Sequence, residues 1–207
     1  YQFAKSISEE RDWCGYWEIT KDGLPCPEDY ISDSDFWYNF PGSFEIIIAC
    51  WQEYLRTGDT DYITDPVFNR FYELTCTRFV EQWDKDGDGL LEHYPEYGRR
   101  GLASYNECDT AILTAGDMLA CQWAAYGAYG EILLRQGKKE QASIYQDRQK
   151  LLKQKYLTEW FDKGKDGFYG AILADGSFYK EYYKEGNFLP VYYGILNKEE
   201  ALKKAYA

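Results

Sequence analysis

A chain of 207 residues, 45% hydrophobic and 19% aromatic, has enough apolar mass for one domain with a sizeable core and too little for two. Its formal net charge of −12 scatters Lys and Arg among Asp and Glu, leaving no basic stripe for phosphates, so nucleic acid is excluded as an expected partner. No apolar run approaches the ~18 residues that span a bilayer, and six scattered cysteines with the single His93 exclude a disulfide scaffold and a tetrahedral zinc set. A Cys14–Cys26 bridge in an oxidising compartment stays open. So does the compartment itself, exported or cytoplasmic, although "YQFAKSISEERDW" at the start carries no signal-peptide pattern.

The first segment to stand out is "ISDSDFWYNFPGSF" (31–44), a loop dense in acids and aromatics. Residues 43–56 then place apolar side chains three and four apart, which predicts a helix, and Gly58 in "TGDTD" marks its end. Asp65 before Pro66 is the start signal for a second helix running to Trp83.

Next comes "DKDGDGLLE" (84–92), whose three aspartates and Gly89 match the opening of a twelve-residue calcium loop. The closing glutamate should fall at the twelfth position. Pro95 stands there, and Glu92 and Glu96 are out of register. A calcium sensor is therefore not expected, and no cofactor is required. Asp84, Asp86 and Asp88 remain weak metal candidates, and the plainer reading is a helix exit built from Asp and Gly turn chemistry.

Beyond "ASYNECDTAIL" (103–113), helical spacing resumes over 109–135 and 139–161, with Gly137 between. "DKGKDG" (162–167) follows, then two apolar runs flanking Ala174-Asp-Gly176, read as a β-hairpin over 167–183. "YKEGNFLPVYY" (183–193) opens a third unit, with a helix over 188–196, a turn at Asn197 and a further helical stretch to Ala207.

These elements repeat. Asp84 and Asp162 open two like motifs 78 residues apart, each just after a tryptophan (Trp83, Trp160), while Gly58 and Gly137 lie 79 apart. The unit is helix, short turn, helix, long loop. Its period is far from the ~34 residues of tetratricopeptide arrays. The fold class expected is mainly α, with helical hairpins at about 43–83, 109–161 and 188–207 in a single domain and a small β-hairpin inserted.

The long loops carry the acids, amides and aromatics, and loops on a helical scaffold are where sites are built. Asp33, Asp35, Trp37, Tyr38, Asn106 and Asn187 are the candidates for substrate contact. Helix capping is the competing role for Asp33 and Asp35, and core packing for the aromatics.

The "W-DxDGDGL" exit, the "RTGDTDYI" turn and the "NFLPVYYGILNKEEA" segment resemble the six-hairpin glycosidases, (α/α)6 toroids that include trehalase-like, processing-glucosidase-like and rhamnosidase-like enzymes. The resemblance implies a glycoside hydrolase, mostly inverting, acting on an oligosaccharide or glycoside. It places a general acid in Asn106-Glu-Cys-Asp-Thr110, hence at Asp109, with Glu107 as competitor because no Ser-Gly precedes the aspartate. Asp109 is equally well placed to cap a helix. Hydrolysis of this kind pairs a protonated carboxyl with an ionised one, about 6.5–9.5 Å apart for inversion. Two to three hairpins make less than six, so the chain is expected to be part of a larger ring. The base would then lie on a later hairpin, and the chain alone would be inactive. The rival class is a non-enzymatic helical-hairpin module that binds carbohydrate or protein.

Overall fold

The computed structural model describes residues 1–106, 111–162, 164, 167–179, 183–197 and 199. Helix α1 (Gln2–Ser6) and a single 3-10 turn at Glu9–Arg11 lead to a two-stranded antiparallel hairpin, β1 (Tyr30–Ser32) with β2 (Asp35–Phe36). Helix α2 (Phe40–Thr57) begins three residues before its expected start, because Pro41 sits in its first turn and Asn39 keeps extended backbone ahead of it. It stops at Gly58, whose φ of 73° needs a residue without Cβ, as the sequence signals.

After α3 (Asp61–Thr64), the Asp65 carboxylate accepts the Val67 N–H at 2.7 Å and opens α4 (Pro66–Leu74). That rod continues through a π-helical turn, Thr75–Phe79, into α5 (Val80–Trp83).

The segment expected to begin the next helix is instead a strand, β3 (Ile112–Ala115), and α6 starts only at Gly116 and runs to Arg135. The reason is a distant partner. β3 pairs antiparallel with β6 (Ala171–Leu173) in the register Ile112↔Leu173 and Ala115↔Ala171, and all four of its residues are buried. Helix α7 (Lys139–Glu159) follows the Gly137 turn, and β4 (Phe161–Asp162) pairs with β5 (Gly167–Phe168) across the "DKGKDG" link. The tight turn at Ala174–Gly176 forms, with a bridge from Ile172 to Phe178, but among the described residues the main partner of β6 is β3 rather than the 177–179 arm. Helix α8 (Lys184–Tyr193) starts four residues earlier than expected and ends at Gly194 in the left-handed conformation.

The architecture is mainly helical with three small antiparallel strand pairs among the described residues. Helix α6 is apolar nearly all round and is packed by α2, α7 and α8. Rings tie the outer rod to the inner helices: Phe40 meets Phe79 and Trp83, Phe44 meets Phe79, and Tyr72 meets Tyr129. Both tryptophans that head the repeated motifs, Trp83 and Trp160, are buried. Among the described residues, no helix is long and apolar enough to cross a membrane.

Candidate functional site

The starts of α2, α6 and α8 are tied together through the loop at 102–105. Asn39 Nδ2 donates to the Ser104 carbonyl at 2.7 Å, and the Phe40 N–H bonds the Leu102 carbonyl at 2.9 Å. At the centre is Asp117, in the first turn of α6 and 0% exposed. Its Oδ2 accepts from the Ser104 hydroxyl (3.1 Å), the Tyr105 N–H (2.7 Å) and the Tyr183 hydroxyl (2.9 Å), while Oδ1 accepts from the Met118 N–H at 2.8 Å. Burial pushes the Asp117 carboxyl up, and these four donors work against that shift. The Asn106 N–H bonds Ser104 Oγ at 3.0 Å, so the network grips the backbone that enters residues 107–110. On the α2 side, Glu45 accepts from the Tyr193 hydroxyl at 2.7 Å.

Two of the sequence candidates, Glu107 and Asp109, lie outside the described residues. Asn106 stands half-buried at the edge of that segment, next to the Asp117 network. Asn187 is engaged at both ends of its amide, accepting from the Tyr183 N–H (3.1 Å) and donating to the Phe168 carbonyl (2.8 Å), so it pins α8 to the β5 strand. Asp33 accepts from Arg11 (2.8 Å) and from the Tyr30 hydroxyl (2.7 Å). The Tyr30 bond first, then Arg11, holds its carboxyl below the usual range. Asp35 lies 3.9 Å from Arg99, partly in solvent. Trp37 is half-buried, whereas Tyr38 is 0% exposed with its hydroxyl 2.6 Å from Ser43 Oγ, and so presents no face to a sugar.

A second constellation lies at the exit of α5. Positive φ at Gly87 (76°) and Gly89 (91°) folds "DKDGDG" back on itself, and the Glu92 N–H closes the loop on the Trp83 carbonyl at 2.9 Å. One carboxylate oxygen from each of Asp84, Asp86, Asp88 and Glu92 then falls within 4.8 Å of the others. Glu92, out of register by counting along the chain, is thus brought in by the fold. Burial first, then the neighbouring aspartates, push its carboxyl up to about 8, against a bond from the Lys85 N–H. Burial also raises Asp84. This oxygen-only set is of the kind that holds a hard cation.

Sequence reasoning missed Asp117 because the predicted helix ran through 109–135 and placed it mid-helix. Its signal was an acid inside the otherwise apolar "TAGDMLA".

No family model matches the chain, and no curated protein matches it. Among solved structures, the chain is similar to the GH78 family rhamnosidase of Bacillus sp. GL1, with a TM-score of 0.62 and 21% sequence identity. The likeness covers 80% of this chain and 17% of the rhamnosidase, so the chain spans less than a fifth of that protein's length. What the two share is a fold, and that fold occurs in a glycoside hydrolase.

Proposed function

We propose that this chain is part of a glycoside hydrolase of the six-hairpin, (α/α)6 type, acting by inversion, with a general acid in the segment 107–110. The observation that carries the reading is the likeness to the rhamnosidase fold over four-fifths of the chain. The tying together of three helix starts at the loop end supports it, because that is where such a scaffold holds a substrate. Asp109 is the assigned acid and Glu107 the competing one. Either would serve by giving its proton to the departing glycosidic oxygen, while an ionised carboxylate on another part of the ring activates water. Asp117 does not fill the acid role: its oxygens are committed to four protein donors within the core. It acts instead by fixing Ser104 and Tyr105, which lead into the acid's loop.

The test uses the protein that carries this chain, assayed on a panel of alkyl glycosides, whose leaving groups need a proton, that includes an α-L-rhamnoside. Asp109→Asn is expected to lower kcat by about 10²–10⁴-fold with KM little changed. A rate left intact by both Asp109→Asn and Glu107→Gln would overturn the assignment.

A further inference from the structure

We propose that Asp84, Asp86, Asp88 and Glu92 form a calcium-type cation site that locks the exit of α5 to the inner core, independently of any glycosidase activity. Four acidic groups within 4.8 Å of one another crowd negative charge that a bound cation would offset. Among the described residues, Lys155 on α7 supplies positive charge only at the rim: its ammonium contacts Asp88 and is shared with Glu159, 3.5 Å away.

One enclosed oxygen of this set lacks a hydrogen-bond partner, and the most buried carboxyl group has a single donor. Asp84 Oδ1 is fully enclosed and accepts no hydrogen bond, although Oδ2 of the same group takes the Gly89 N–H at 3.0 Å. Glu92 is only 3% exposed, and a single backbone N–H, from Lys85 at 2.9 Å, reaches its carboxylate. Buried carboxylate oxygens left without donors carry a large desolvation cost, which a bound cation removes. A cleft of about 490 Å³ between α5 and α7, bordered by Asp84, Gly87 and Asp88, gives an ion and its waters a way in.

The donors select the ion. All are hard oxygens, which favours calcium, magnesium or manganese over zinc or copper. Calcium accepts irregular sets of six to eight oxygens, whereas magnesium demands near-octahedral geometry and gives up its waters reluctantly, so a set of four carboxylates favours calcium. Glu92 stands at the ninth loop position, so the site departs from the helix–loop–helix sensor, whose closing glutamate is the twelfth. The loop folds back at Glu92, and Gln122 of α6 holds the Gly89 carbonyl at 2.9 Å. A cation here would therefore couple the outer rod to the central helix.

The experiment is calorimetric titration of the chelator-stripped chain with CaCl2 and with MgCl2 at pH 7.5, with melting curves alongside. Asp86→Asn is compared, since Asp86 is exposed and an amide oxygen can still accept its turn bond from the Asp88 N–H. The expected result is one calcium per chain and a Tm raised by about 5–10 °C at a hundredfold excess over Kd. Asp86→Asn should bind at least tenfold more weakly and melt like the unsubstituted chain in chelator. Absence of saturable binding up to about 10 mM CaCl2, well above the range of weak protein calcium sites, or an unchanged isotherm in Asp86→Asn, overturns the site. A magnesium response equal to that of calcium overturns the choice of ion.

Discussion

Asp117 and Glu92 are both buried carboxyl groups, and their surroundings give them different tasks. Asp117 is met by four donors and organises backbone. Removing one donor with Tyr183→Phe should cost about 1–3 kcal/mol in urea unfolding, and Asp117→Asn more, because its amide N–H groups would face hydroxyl and amide donors. Glu92 has one donor and three acidic neighbours. With its folded pKa near 8 and an unfolded value near the usual 4.5, the native state keeps a proton that the unfolded chain has lost. In chelator, its contribution is fully present below about pH 4.5 and is lost as pH rises through 8. Glu92→Gln should therefore melt above the unsubstituted chain at pH 8.5, with the gap closing toward pH 4.5. A gap that does not change with pH would contradict that assignment. Neither role was legible from the residues alone. Asp117 was hidden by a misplaced helix start, and Glu92 by a template that counts positions along the chain rather than through a fold-back.

Among the elements, local signals served well where the physics is local. Gly58 and Gly137 end helices in the left-handed conformation, and Asp65–Pro66 starts one with its side chain on the Val67 N–H. β3 fails the same reading because its partner, β6, lies some sixty residues on, and pairing at that range is invisible to periodicity. The join between α6 and α8 is equally non-local. A Cβ at Gly116 would sit 2.1 Å from the Gly186 carbonyl oxygen, and one at Gly186 would sit 2.2 Å from the Gly170 carbonyl oxygen. Pro190 has no N–H to offer the Gly186 carbonyl, four residues back, which leaves that oxygen free to lie against the start of α6. Gly116→Ala should therefore destabilise the fold by about 1–3 kcal/mol, where Gly→Ala in an open helix would stabilise it. A melting point unchanged or raised by that substitution would show that the two helices do not meet so closely.

For the molecule as a whole, the mainly helical class and the paired-helix repeat were legible because buried tryptophans and left-handed glycines recur at fixed distance. The family resemblance rested instead on short motifs, the "W-DxDGDGL" exit, the "RTGDTDYI" turn and the "NFLPVYYGILNKEEA" segment, and the likeness to the rhamnosidase supports a glycoside hydrolase-like fold. The candidate acid was not legible to the same degree, because an aspartate ahead of helical spacing reads as a cap or as an acid alike, and the helix expected from residue 109 starts only at Gly116. Leaving-group chemistry separates the two roles. The decisive measurement is kcat of Asp109→Asn, in the protein that carries this chain, on 2,4-dinitrophenyl and alkyl glycosides of one sugar. An acid catalyst is dispensable when the leaving group departs unaided, so the variant should keep near-normal turnover of the dinitrophenyl glycoside and lose about 10²-fold or more on the alkyl one. Equal losses on both would mean that Asp109 supports the fold rather than the reaction, and would contradict the account.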